Sequence, residues 1–414
     1  MTELEIFVST FLKEDTTIKN NNLKVYSFLK HSKIISISSK RLEEIRNCGT
    51  FIKYGISSTT EQKKVLYMET CNHRFCARCQ KNESLKRAIK LYTISNFLRL
   101  KRKRVFLFIT LTVRNCKRNE LRDTISLINR AFDKMMRRKI FMEVKGYVSK
   151  IEVTYNRKRD DFHPHMHLLF SMDSGYFSKE NENYIKRDDL LLNWQSVTGD
   201  DNITQVDIRA LKNQNDEKLI KSIQEVAKYE AKSFDFGINQ EVFESFYLGL
   251  HSAKTFRYGG EFKEISNLYD VDEFGIFENY KPKNEKNGVW DYKTVSSWIF
   301  TKKEYETMIS KLTKEEQKIL EKQEKVKSYA QFKTKMKRLS KKIVDDYALL
   351  GQYFEKVRLY ESAKNANPYR IRIRIEHLER KIKSTKSRIA RYRVLINLYE
   401  TFEREYKNNF KRKK

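Results

Sequence analysis

The hydrophobic pattern of this chain changes period along its length. Residues 105–113, Val-Phe-Leu-Phe-Ile-Thr-Leu-Thr-Val, are β-branched and aromatic and predict a buried strand. Residues 119–138 carry Leu121, Ile125, Ile128 and Phe132 at helical spacing. Strands are expected at 147–155 and 163–170, a helix at 184–197, a short strand at 204–210 and a helix at 219–232. This β-α-β-β-α-β-α order predicts an α+β fold, an antiparallel sheet backed by helices.

Farther on the period is heptad. Ile371, Ile375, Leu378, Ile382, Ile389, Tyr392, Ile396 and Tyr399 recur in steps of four and three, broken only by Thr385. Tyr329, Phe332, Met336, Leu339, Ile343 and Leu350 form a similar stripe, and the sequence Asn-Ala-Asn-Pro at 365–368 separates the two. A long helical hairpin or coiled coil is expected. Five segments follow: a mostly helical lead-in (1–47), a Cys-rich zinc-binding element (48–100), a catalytic domain (101–278), a linker (279–300) and a basic helical hairpin (301–414).

Charge sharpens the picture. The chain has 414 residues and a net charge of +31, which argues for a polyanionic partner such as nucleic acid. Residues 301–414 hold 33 Lys and Arg against 15 Asp and Glu, an excess of 18. That excess reads either as a solvated helical face or as an arm that grips DNA or joins copies of the chain. The acidic start and the absence of a long apolar run argue against a leader or a membrane span, and five Cys in such a chain suggest the cytoplasm.

Four of the five cysteines cluster. Cys76 and Cys79 form a C-x₂-C knuckle, and Cys71 and Cys48 can complete a tetrahedral thiolate site for structural Zn²⁺. His73 is the substitute ligand if Cys48 is not used, and buried free thiols are the simpler alternative. Cys116 stands apart.

The densest chemistry lies in Asp161-Phe162-His163-Pro164-His165-Met166-His167. Three of the chain's seven histidines occupy alternate positions, so His163, His165 and His167 share one strand face. A lone histidine would read as a surface residue, but three on one face point to a divalent metal. Glu152, in the adjacent expected strand, is a candidate ligand, and imidazoles with a carboxylate suit Mg²⁺ or Mn²⁺ at phosphates. Glu225 and Tyr229 are four apart and share a helix face, with Lys228 and Lys232 adding charge near a phosphate.

The histidine strand resembles the His-hydrophobic-His motif of the HUH endonucleases. Its company is similar to the plasmid rolling-circle replication initiator (Rep) proteins with a single catalytic Tyr and a nearby Glu. The run 108–115, the strand Lys150-Ile151-Glu152-Val153-Thr154, the cysteine block 71–79 and Tyr258-Gly259-Gly260-Glu261 also match, over about residues 48–265. Ala77 departs from the family, which usually has Pro there. The resemblance implies a ferredoxin-like nuclease core that nicks the plasmid origin at a single-stranded or hairpin site. Tyr229 would be the nucleophile, forming a 5′-phosphotyrosine and freeing a 3′-OH for a host polymerase, with a host helicase as further partner. His165 and His167 would hold Mg²⁺ or Mn²⁺, with Glu152 or His163 as third ligand. Glu225 would activate the water that ends the reaction. Another HUH nuclease (a relaxase or transposase) and a non-enzymatic, zinc-stabilised DNA-binding protein are the alternatives. Tyr229 following the histidines counts against a relaxase, and the cysteine block counts against a small transposase.

Overall fold

The computed structural model describes residues 3–178, 181, 184–211, 216–227, 237–270, 276–282, 289–317, 329–362 and 368–411. The chain packs as two units, Met1–Lys263 with Tyr280–Glu324, and Glu264–Asn279 with Lys325–Lys414.

The first unit holds two antiparallel sheets. One has the order β6-β3-β5-β4-β7, from β3 (Val105–Thr112), β4 (Gly146–Asn156), β5 (Asp161–Met172), β6 (Val206–Leu211) and β7 (Phe256–Gly259). β4 and β5 form a hairpin. Asn156 Oδ1 accepts the N–H groups of Lys158 and Arg159, and Asp160 takes φ +48°, which closes the turn and sets the register. That register places Glu152 opposite His165, Lys150 opposite His167 and Thr154 opposite His163.

Alternation then divides the sheet. Leu107, Ile109, Leu111, Ile151, Val153, Phe162, Met166, Leu168 and Phe170 enter one buried core. Helices α4 (Leu121–Met135), α5 (Arg187–Thr198) and α7 (Gln240–Leu250) supply Ile125, Phe132, Trp194, Phe243 and Phe246 to it. The opposite face carries the histidines, and α6 (Asp216–Ala227) packs against β4 and β5. These elements are the α+β antiparallel arrangement expected from the sequence.

The second sheet has the order β2-β1-β8-β9, from β1 (Phe51–Ser57), β2 (Gln62–Met68), β8 (Tyr292–Ile299) and β9 (Glu304–Lys311). Helix α1 (Glu3–His31) covers it, packing Val8 and Phe11 on Ile52, Tyr54 and Ile56. The hydrophobic pattern of the sequence predicts no strand at any of these four places. β8 and β9 form within stretches read there as linker and as the start of the helical arm. Asp15 of α1 is buried and accepts from Tyr54 Oη at 2.8 Å and from Arg78 Nη1 at 2.5 Å. Arg78 belongs to α3 (Ala77–Arg102), so a buried ion pair joins the two helices. Lys19 is also buried, its Nζ donating to the carbonyls of Arg46 (2.7 Å) and Cys48 (2.9 Å) and to Thr50 Oγ1 (2.9 Å). Helix α2 (Ser39–Asn47) ends at Cys48, capped at its start by Ser38.

The Tyr-Gly-Gly-Glu motif ends β7 at the edge of the five-stranded sheet and opens α8 (Gly260–Asp270). A Cβ on Gly259 would lie 2.1 Å from the Tyr147 ring. Gly260 has φ +54°, and a Cβ there would lie 2.3 Å from the Lys145 carbonyl. Glu261 is buried, accepts from Ser171 and from Arg104 Nε, and donates its N–H to the Lys145 carbonyl at 3.0 Å. Left-handed backbone and a hard steric contact thus coincide at one position. Gly260→Ala is expected to cost about 2–4 kcal/mol, read as a fall in the urea midpoint of this unit.

The second unit is dominated by α9 (Tyr329–Glu361) and α10 (Pro368–Lys411). Arg393 lies over Tyr347, Lys386 over Phe354, Lys381 over Tyr353 and Arg374 over Tyr360, so the helices run antiparallel. Leu350, Ile382 and Ile389 are buried between them. Thr385 is buried as well, at the polar break in the heptads, and the half-buried Arg388 pairs with the buried seam residue Asp346 at 2.5 Å.

Candidate metal centre

The histidine strand delivers two of its three imidazoles to one point. Glu152 Oε2 lies 3.6 Å from His165 Nε2 and 3.4 Å from His167 Nε2. These donors form one of the groups able to hold an ion. A backbone carbonyl selects the His165 tautomer. His165 Nδ1 faces the His163 carbonyl at 3.4 Å, which can only accept, so Nδ1 carries the proton and Nε2 keeps its lone pair. His167 Nδ1 meets Thr110 Oγ1 at 3.2 Å, and the ring stacks on Phe108 at 5.6 Å. His167 Nε2 is buried without a hydrogen-bond partner. A buried imidazole nitrogen left without a hydrogen bond beside a carboxylate fits a metal donor set. Cis donors around a small octahedral cation stand about 3 Å apart, so a contraction of a few tenths of an ångström would seat one.

Burial alone would raise the Glu152 pKa, but the His165 and His167 rings beside it outweigh that and hold the carboxyl far below the usual range. Burial is the main cause that lowers His167, and Glu152 only partly offsets it. Both trends keep an anionic carboxylate and a neutral imidazole at neutral pH, as a cation site requires.

The remaining site residues divide. His163 lies on the same face, but its Nδ1 meets Asn115 Oδ1 at 2.8 Å and it is not among the converging donors. Glu225 on α6 reaches the site, its Oε1 lying 3.8 Å from His167 Nε2. Tyr229, Lys228 and Lys232 lie outside the described residues. Phe108, Thr110 and Asn115 belong to the run 108–115 that resembles the family, with no individual role expected for any of them from the sequence. Thr110 and Phe108 sit at alternate positions of β3, so their face was legible but their pairing with His167 was not.

The cysteines form a second group, Cys48, Cys71, Cys76 and Cys79. Sγ separations are 3.4 Å for Cys48–Cys76 and 3.7 Å for Cys48–Cys79 and Cys71–Cys79. A tetrahedron of thiolates about 2.3 Å from zinc has edges of about 3.8 Å, so the cage fits. All are free thiols. Cys79 accepts from the other three thiols and from the Asn72 N–H, which pulls its pKa down, while hydrogen bonds with Cys48 first, and then with Cys79, push Cys71 and Cys76 up. Without a cation, ionisation of one thiol opposes that of its neighbours; a divalent ion removes that conflict. His73 stands outside this group, with Nδ1 accepting from the Phe75 N–H at 3.3 Å and its pKa lowered by burial to about 4.

Comparison with known proteins places this arrangement. Residues 62–306 match the family described as "Replication protein". The chain belongs to this replication protein family. A "Protein rep" of Staphylococcus aureus is 33% identical over 230 residues, covering 55% of this chain and 96% of that protein. A "Protein rep" of Streptococcus pneumoniae is 30% identical over 270 residues, 64% of this chain and 83% of that protein. A "Replication protein" of Bacillus sp is 30% identical over 212 residues, 48% and 89%. No solved structure matches. The resemblance to plasmid rolling-circle replication initiators, read from the histidine and cysteine blocks, is thereby borne out. Among the described residues, no helix is long and apolar enough to cross a membrane.

Proposed function

We propose that this replication protein is a metal-dependent, site-specific single-strand endonuclease and ligase that starts rolling-circle replication at a plasmid origin. The convergence of Glu152, His165 and His167, with Glu225 beside them, carries the reading. Those first three residues would hold Mg²⁺ or Mn²⁺, with His163 as the less direct choice. A bound ion would supply Lewis-acid polarisation and orientation of the scissile phosphate.

Tyr229 stands two residues beyond the described end of α6 and four beyond Glu225. Its phenolic oxygen forms a bond to phosphorus as the bond to the 3′ oxygen breaks. The phenol gives up a proton, and the 3′ oxygen leaves with the electron pair and becomes a 3′-OH. Lys228 and Lys232 contribute charge toward the phosphate. At termination Glu225 takes a proton from water, which displaces the phenol from phosphorus. A host helicase and polymerase would extend the freed 3′ end in the bacterial cytoplasm. The long helices would form a coiled coil, closed within one chain or between copies.

The test is a supercoiled plasmid carrying the cognate origin, incubated with the full chain and Mn²⁺. Open circles bearing protein on the 5′ phosphate are expected, and chelator should prevent them. Intact plasmid under every divalent ion would overturn the reading. Glu225→Ala is expected to leave nicking within about threefold while slowing the terminating hydrolysis about 100-fold, measured as persistence of the covalent adduct. Equal loss of both steps would remove Glu225 from the water-activating role.

Cys48, Cys71, Cys76 and Cys79 would hold Zn²⁺ as a closed structural site. Cys76→Ser is expected to release the zinc and cost about 3–5 kcal/mol. Elemental analysis of the purified variant checks it, since unchanged zinc content rules the site out.

A further inference from the structure

We propose that the outward face of α10 grips duplex DNA through the phosphate backbone. Between residues 370 and 393 the helix carries ten Lys and Arg against two Glu. That is a net charge of +8 along about 36 Å, at 1.5 Å per residue. Several of these cations are already engaged with α9: Lys381 over Tyr353, Lys386 over Phe354, Arg393 over Tyr347, and Arg388 on Asp346. Arg380 and Lys383 are exposed and Arg391 is half-buried with its Nε covered, and all three lie on the side of the helix away from the seam that Ile382, Thr385 and Ile389 occupy.

The outward face between Arg380 and Arg391 otherwise holds Ser384, Ser387 and Ala390. Small side chains let a phosphate strand approach closely, and hydroxyls donate to its oxygens. The large apolar residues of that stretch, Ile382 and Ile389, are buried in the seam, which leaves nothing there to enter a lipid layer. A second copy is disfavoured too, because two rods of +8 repel. A polyanion that accepts charge along its whole length fits best, and the three cations read no base sequence. This contact uses none of the residues of the nicking centre and holds whether or not that centre cuts.

The test compares the full chain with the triple variant Arg380→Gln, Lys383→Gln, Arg391→Gln, which removes the charge while keeping unbranched polar side chains of high helix propensity. Binding to a blunt random-sequence duplex of about 30 base pairs is followed by fluorescence anisotropy from 50 to 200 mM KCl. Each phosphate contact contributes about 0.9 to the slope of log K against log salt, so the slope is expected to fall by about 2–3. Affinity at 100 mM KCl should drop at least about tenfold. Cleavage of a single-stranded origin oligonucleotide should stay at the wild-type rate. Arg380→Lys with Arg391→Lys should keep the wild-type slope, which separates charge from shape and supplies a test if the triple variant folds poorly. Unchanged slope and affinity in the triple variant overturn the proposal, as does a lowered slope in the lysine variant. A change of oligomeric mass by light scattering, with duplex affinity intact, makes the face a self-association surface instead.

Discussion

Tyr229→Phe is expected to abolish nicking of the supercoiled origin, by at least about 10⁴-fold, with no protein left on the DNA. The substitution removes one oxygen and keeps the ring, so folding and DNA affinity should survive. The size of the effect follows from the chemistry. The phenolic oxygen is the atom that bonds to phosphorus, and no neighbouring group can lend an equivalent one without a new approach to the phosphate. A phenol with a pKa near 10 is only about 0.1% ionised at pH 7, so its reactivity depends on the charge gathered around the phosphate. The Glu152 carboxylate and the imidazoles of His165 and His167 are the groups that would gather a cation there. Denaturing gels of end-labelled origin DNA, followed by mass-spectrometric mapping of the adduct, check the assignment. A phenylalanine variant that nicks as the wild type does, or an adduct on another tyrosine, would end the role of Tyr229.

The parts of the fold that could be read from sequence are those whose signal is local. The β4–β5 hairpin shows itself because alternate histidines and alternate core residues fall in a short stretch, and its turn is four residues long. Glu152 opposite His165 follows from pairing two adjacent strands. The cysteine group likewise follows from close spacing, with Cys48 carried in by α2. The heptads identified the helices, and Thr385 proved to be buried in line with its apolar neighbours. The four-stranded sheet was illegible for a physical reason. Its inner strand β1 pairs with β8, more than 220 residues away, and β2 and β9 are half exposed and rich in Lys and Glu. Such strands depend on a distant partner and on α1, so no local period marks them. The ring-orienting contacts of Thr110 and Phe108 were hidden similarly, since they depend on the register between β3 and β5.

His167→Ala is expected to weaken Mn²⁺ binding by about 100- to 1,000-fold and to lower nicking by at least about 10³-fold. Its Nε2 is buried, unpaired and aimed at Glu152, so the variant loses a donor that neighbouring water cannot easily replace. Thr110→Val should act more mildly, by about tenfold, because it frees the ring to rotate without removing it. The pH dependence has a definite sign. Burial holds the His167 pKa below its ordinary 6.5, so the lone pair stays available as pH falls through that value. Metal affinity should therefore change little between pH 8 and 6.5 and decline only at lower pH, where protons compete for the imidazole. Titrating Mn²⁺ by electron paramagnetic resonance on both proteins from pH 5.5 to 8 measures this directly. A His167→Ala protein that binds Mn²⁺ as tightly as the wild type would move the catalytic ion away from the β4–β5 hairpin.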